Sequence, residues 1–173
     1  DRNQMKIALI GYGKMGHEIE DLIKESGSHE IVSISYKSPA EKLDKDGISK
    51  ADVVIDFTAP EIIVNTIKKI AGMGKNMVVG TTGWYDQLPK VREIIRKSKT
   101  GLIYAQNFSI GANIFFQIVG FASALMNKFG SYDVAGFEIH HTGKKDSPSG
   151  TAKKLASVIM KNFPKIMFAN FSE

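Results

Sequence analysis

The chain has 173 residues, a net charge of +5, 43% hydrophobic and 24% charged residues, and no cysteine. This composition supplies a packed core, excludes disulfides and thiolate metal sites, and suits a reducing compartment, so a cytoplasmic protein is expected. The apolar runs break well short of the roughly 18 residues of a membrane span, and the lysines are scattered singly or in pairs beside only three arginines. Neither a membrane nor a nucleic acid is therefore expected as a partner; the positive field would instead suit anionic small molecules. The opening residues carry no apolar signal region, and those before Met5 are expected to be a remnant ahead of the natural start.

Residues 5–10 (MKIALI) form a short apolar run ending in Gly11, and Met15, Ile19, Leu22 and Ile23 follow at helical spacing, which predicts strand, turn and helix. The helix should stop near Ser26 and Gly27, and residues 30–35 alternate as a second strand does. Residues 53–57 (VVIDF) read as a third strand, with Pro60 opening a helix through Ile63, Ile67 and Ile70. A strand over 77–79, a helix over 86–97 and a strand over 102–104 complete the pattern. Strands separated by helices predict an α/β fold, a Rossmann-type doubly wound parallel sheet, over residues 1–106. Residues 107–173 predict a second region of a different, α+β class. It should hold a long helix over 111–128, an extended segment over 132–141, a polar loop, a helix over 151–162 and the start of a strand over 166–168.

Between the first strand and helix lies Gly11-Tyr-Gly13-Lys14-Met15-Gly16, a G-x-G-x-x-G pattern. Its glycines answer three needs of dinucleotide binding: a tight turn, close approach of backbone to pyrophosphate, and close helix-to-strand packing. The amides of the helix start then face the phosphate charge. The acidic ribose ligand usual about 20 residues further on is replaced by Tyr36-Lys37-Ser38. A cation and hydroxyls there suit a 2′-phosphate, so NADPH should bind at least as well as NADH; a solvated loop lysine is the other reading of Lys37. Gly80-Thr81-Thr82-Gly83 and Ala105-Gln106-Asn107-Phe108-Ser109 follow predicted strands, at the carboxyl edge where open α/β sheets bind ligands. Main-chain groups there are expected on the nicotinamide side.

In the second region, Glu138-Ile-His140-His141 ends the extended run, so the two histidines should point to opposite faces. With Lys144 and Asp146 close behind, they gather proton donors and positive charge at one place. No metal site is expected, because adjacent strand positions splay apart and no third nitrogen ligand is near. Ser149 is a plausible cap for the following helix, whose first amides near Gly150 and Thr151, with the Thr151 hydroxyl and the Lys144 charge, could hold a carboxylate. A plain capped helix is the simpler reading of that segment alone.

From GYGKMG through DFTAP, GTTG and AQNFSIGAN to EIHHTGKKDSPSGTA, the chain resembles the dihydrodipicolinate reductase (4-hydroxy-tetrahydrodipicolinate reductase) family, and the last motif is the most specific. The resemblance implies hydride transfer from NADPH or NADH to a cyclic unsaturated dicarboxylate, giving tetrahydrodipicolinate for lysine and diaminopimelate synthesis. It implies His140 as proton donor or acceptor, Lys144 as proton donor, His141 as a substrate contact, and Gly150 with Thr151 as the carboxylate site. It places nicotinamide contacts at Gly80, Thr81, Thr82 and Ala105 to Phe108, and implies a homotetramer. The resemblance makes residues 107–173 a substrate-binding and oligomerisation domain; family members commonly carry proline or a small residue where Gln106 stands, and are usually longer, so this domain is expected to be partial. Two rival readings stand beside this one. Another two-domain nicotinamide enzyme would have no need of the His-His-Lys loop, and a dinucleotide-sensing module would bind cofactor without turnover.

Overall fold

The computed structural model describes residues 4–36, 43–140, 142 and 148–164. Lys37, His141, Lys144 and the strand expected over 166–168 lie outside the described residues. The chain divides into two compact units, residues 1–106 and 107–173.

The first unit is a five-stranded sheet of β1 (Lys6–Ile10), β2 (Glu30–Ser35), β3 (Val53–Asp56), β4 (Asn76–Val79) and β5 (Leu102–Tyr104). The strand order is β2-β1-β3-β4-β5, and every pairing is parallel. Parallel neighbours need crossovers, which the helices α1 (Lys14–Ser26), α2 (Lys45–Lys50), α3 (Pro60–Gly72) and α4 (Leu88–Ser98) supply. The order reverses between β1 and β3, so the carboxyl ends of these two strands form the topological switch point. Ala8, Ile10, Val54, Met77 and Val79 from the sheet, with Ile63, Ile67 and Ile70 from α3, make the core. The run VVID reads as near-continuous apolar because a parallel strand is covered on both faces; Asp56 alone breaks it, and it is fully buried.

Local chemistry sets the helix ends. α1 stops at Gly27, which adopts φ 60° and donates its N–H to the Ile23 carbonyl, a left-handed cap that glycine takes without a Cβ penalty. Pro60 opens α3 at a position where its missing N–H costs nothing. The helix expected over 86–97 instead begins as a single 3-10 turn, Tyr85–Gln87, and becomes α-helical at Leu88 with proline in its first turn. Sequence periodicity gave no sign of α2, which is too short to show it; its start is fixed by Asp44, whose Oδ1 accepts from the Gly47 N–H at 3.0 Å.

The second unit holds α5 (Ile110–Met126) and α6 (Gly150–Asn162), which pack on each other. Both are capped by serine: Ser109 Oγ accepts from Ala112 N at 3.3 Å, and Ser149 Oγ from Ala152 N at 3.0 Å. Gly120 of α5 lies where an added Cβ would sit 3.1 Å from Val158 Cγ1 of α6, so a bare backbone allows this close crossing. Residues 132–140 of the segment expected to be extended enter no strand ladder among the described residues. A ladder needs a partner strand's N–H and C=O groups, and none of the described residues supplies them.

Candidate active site

At the switch point the three glycines of the first loop meet three different demands. Gly11 has φ 85°, and a Cβ there would lie 2.5 Å from the Phe57 carbonyl carbon and oxygen. Gly16 would place a Cβ 2.9 Å from the Gly11 oxygen, so its bareness sets how closely α1 approaches its own loop. Gly13, the N-cap of α1, would meet nothing within 4 Å, leaving open backbone beside the helix start with no side-chain cap bond. A bare approach to first-turn amides is what a pyrophosphate requires, so these residues fit a dinucleotide. Lys14 and Met15 are exposed at the same helix start.

Tyr12, between the first two glycines, turns its hydroxyl to Glu20 on α1, and Glu20 also pairs with Lys24 at 2.8 Å. The Glu20 hydrogen bond chiefly pushes the Tyr12 phenol up to about 12, so it stays neutral. Its ring lies 3.9 Å from that of His17 and 5.2 Å, edge-on, from that of Tyr36, an aromatic group between the glycine loop and the end of β2.

The β4 loop is anchored from below. Thr81 is buried; its hydroxyl donates to Asp56 Oδ1 at 3.1 Å and its carbonyl accepts from Trp84 Nε1 at 2.7 Å. Thr82 is exposed beside it. Thr81 therefore has its hydroxyl and carbonyl engaged inside the protein, while its N–H has no partner among the described residues. Gly80 is bare because the Phe57 ring lies 2.0 Å from where its Cβ would be. Next along the sheet edge, the Ala105 N–H donates to the Val79 carbonyl at 3.4 Å, and Gln106 is exposed.

In the second unit, Asn107 Oδ1 accepts from Ser109 N at 2.8 Å and its carbonyl accepts from Asn113 Nδ2 at 2.9 Å, so Asn107 shapes the entry to α5, with Phe108 45% exposed. His140 Nε2 lies 2.8 Å from Glu138 Oε2. The same carboxylate takes the Ser149 N–H on Oε1 at 2.8 Å and the Ser149 hydroxyl on Oε2 at 2.5 Å. Glu138 thus joins His140 to the start of α6, where Gly150 and Thr151 are exposed. The two Ser149 bonds, helped by His140, hold its carboxyl down at about 2, well below the usual range.

Two of these groups escape the motif reading. Asp56 looks like one polar residue in a buried strand, and Glu138 like the start of a histidine segment. The signals were present: a carboxylate in a strand with both faces covered needs donors, and Glu138 and His140 are two apart, on one side of an extended chain.

A five-stranded parallel sheet with a three-glycine loop at its switch point defines an α/β protein of the Rossmann-type dinucleotide-binding class. The sequence model described as "Dihydrodipicolinate reductase, N-terminus" matches residues 5–108, and "Dihydrodipicolinate reductase, C-terminus" matches residues 111–170. The chain belongs to the dihydrodipicolinate reductase family. It is 40% identical over 162 residues to the 4-hydroxy-tetrahydrodipicolinate reductase of Christiangramia forsetii, covering 94% of this chain and 66% of that protein. To the protein of the same name from Methanococcus aeolicus it is 43% identical over 155 residues, covering 89% of this chain and 50% of that one. The chain thus spans between half and about two thirds of these relatives' length. A solved dipicolinate-bound dihydrodipicolinate reductase from Paenisporosarcina superposes with a TM-score of 0.77 at 26% identity, over 99% of this chain and 71% of that one. No helix among the described residues is long and apolar enough to cross a membrane.

Proposed function

We propose that this chain carries the dinucleotide-binding and proton-donating parts of a 4-hydroxy-tetrahydrodipicolinate reductase, which reduces a cyclic unsaturated dicarboxylate to tetrahydrodipicolinate in lysine and diaminopimelate synthesis. The observation that carries the reading is the Glu138 carboxylate, bonded to His140 on one side and to the cap of α6 on the other. A proton donor and an anion cradle in contact are what the reaction needs. Family membership supports this substrate class.

The bound dinucleotide, NADPH or NADH, supplies the hydride. Gly11, Gly13, Lys14, Met15 and Gly16 would bind its pyrophosphate through backbone amides, and Lys37 would supply a charge for a 2′-phosphate. The Gly80 backbone and the N–H groups of Thr81 and Thr82, with main-chain groups from Ala105 through Gln106 and Asn107 to Phe108, would hold the nicotinamide carboxamide. Gln106 serves there as well as a smaller residue, because the contact is made by backbone. Gly150, the Thr151 hydroxyl and His141 orient the substrate's carboxylates, which fixes the ring for reaction. Adding hydride to a conjugated carbon leaves negative charge on the ring, and His140 or Lys144 delivers the proton that neutralises it. Glu138 holds the His140 ring in one orientation for that transfer. The active form is a cytoplasmic homotetramer.

The test is oxidation of NADPH, followed by its absorbance, with the unstable substrate generated in the same mixture, then repeated with NADH. Substrate-dependent oxidation supports the reading. Dinucleotide binding without turnover would leave a sensing module and overturn the enzyme.

A further inference from the structure

Asp56 is the last residue of β3, paired with Ile10 of β1 on one side and Val79 of β4 on the other. It therefore lies between the residue that precedes the glycine loop and the residue that precedes the Gly80–Thr81–Thr82 loop. The backbone ties all three together. The Phe57 N–H donates to the Ile10 carbonyl at 2.9 Å, and the Gly80 N–H donates to the Asp56 carbonyl at 2.9 Å. The side chain adds a second layer: Oδ1 alone accepts from Thr58 N at 2.9 Å, Thr58 Oγ1 at 2.7 Å and Thr81 Oγ1 at 3.1 Å.

A carboxyl with no exposure is an expensive group to bury in a sheet interior, and apolar residues occupy the neighbouring positions of the strand. Oδ2 has no hydrogen-bond partner among the described residues. Burial pushes the acid up, opposed by the Thr58 and Thr81 bonds. Ordinary core packing would be served better by valine at this place. What the carboxyl does that valine cannot is hold two loops by their hydroxyls, and one of those is the loop whose main chain faces the nicotinamide in the reading above.

We infer that Asp56 is a positioning residue for the nicotinamide end of the cofactor site: through Oδ1 it fixes Thr81, and so aims the Thr81 and Thr82 N–H groups. This rests on the dinucleotide-binding reading of the site. It divides the site in two. The glycine loop, held by Gly11 against the Phe57 backbone, serves the phosphates, and the Asp56–Thr81 contact serves the nicotinamide.

That division can be measured without turnover. Fluorescence titration of the full chain with NADPH and with 2′-phospho-ADP-ribose, which lacks nicotinamide, compares wild type, Asp56→Ala, Asp56→Asn and Thr81→Val. Losing the Oδ1 acceptor or its Thr81 donor is expected to weaken NADPH about five- to tenfold, the scale of one hydrogen bond, with the fragment held within about twofold. Asp56→Asn, which keeps an oxygen at the Oδ1 place, is expected to recover most of the NADPH affinity. Thr81→Val keeps shape and core, so it carries the test if Asp56→Ala does not fold. Equal weakening of both ligands, or unchanged NADPH affinity in the Thr81 variant, would overturn the positioning role. A wild-type chain that bound neither ligand would overturn the cofactor reading itself, and the positioning role with it.

Discussion

Glu138 Oε2 and His140 Nε2 lie 2.8 Å apart, and the carboxylate that makes this contact is also bonded twice to Ser149. Those bonds depress the Glu138 carboxyl to about 2 from an ordinary value near 4.5. A carboxyl depressed on folding stabilises the fold fully above its unfolded value and loses that contribution as pH falls through the folded value. The contribution should therefore disappear between about pH 4.5 and about pH 2. Glu138→Gln is expected to be less stable than wild type at about pH 6, with the difference closing toward acid. Denaturant titrations across that window check this, and a gap independent of pH would contradict it.

The proton-donor assignment makes a kinetic prediction. Replacing His140 and Lys144 together by alanine removes both candidate donors, and turnover is expected to fall by about two to four orders of magnitude, the usual reach of general acid catalysis. Dinucleotide affinity should stay near that of wild type, because neither residue belongs to the first unit. Steady-state rates and a cofactor titration on the same preparation separate the two effects. Near-normal turnover would remove both residues from the chemistry.

Two glycines of the first loop should respond in opposite ways. Gly11→Ala forces a side chain onto φ 85° and to within 2.5 Å of the Phe57 carbonyl. It should cost at least roughly 1–3 kcal/mol of stability. Gly13→Ala meets nothing within 4 Å, so it should cost less than about 1 kcal/mol. In the proposed site its methyl would stand in the path of the pyrophosphate, and dinucleotide affinity should drop about tenfold or more. Thermal melts and cofactor titrations of the pair give four readings. A Gly13 variant that bound as wild type would show that the phosphates do not approach the loop there.

Much of this was legible beforehand for physical reasons that can be named. VVIDF and MKIALI declare buried parallel strands because both faces are covered, and GYGKMG declares a tight turn from strand to helix, where Gly11 and Gly16 leave no room for a Cβ. The Ser149 cap was legible because a serine hydroxyl at that place has one obvious donor to take. Contacts between distant residues were not. Nothing local says that the Thr81 hydroxyl turns inward to a carboxyl 25 positions earlier, nor that Trp84 donates back to Thr81. Helix α2 was missed for a different reason: with six residues it shows no period, and only Asp44 marks its start. The run over 132–141 is expected to be extended, yet an extended run becomes a strand only where a partner is present to pair with it.

Cofactor choice is the next test. Lys37 follows β2 where an acidic residue would hold an unphosphorylated ribose, so a cation there should favour the 2′-phosphate. Lys37→Ala is expected to weaken NADPH about tenfold while leaving NADH nearly unchanged, the scale of one charge-assisted bond. The NADPH loss should shrink with added salt, since salt screens an attraction between charges. Dissociation constants for both cofactors at two ionic strengths measure it. A wild-type preference for NADH would reject the assignment.

Trp84 offers a stability test that also reaches the site. Its side chain is fully buried, stacked edge-on at 5.0 Å from Tyr85 and 5.4 Å from Tyr104, and its Nε1 donates to the Thr81 carbonyl at 2.7 Å. Removing the ring in Trp84→Ala should cost about 3–5 kcal/mol from lost burial and the cavity left behind. Trp84→Phe keeps much of the packing but strands the buried carbonyl, so it should cost about 1–3 kcal/mol. The Phe variant matters more for function, because it frees one of the two tethers on Thr81 while the Asp56 tether remains. If both tethers aim the same N–H groups, Trp84→Phe should weaken NADPH by a few-fold and leave 2′-phospho-ADP-ribose unchanged. An NADPH affinity equal to that of wild type would mean that Asp56 alone holds the loop, and that Trp84 serves only the core beneath it.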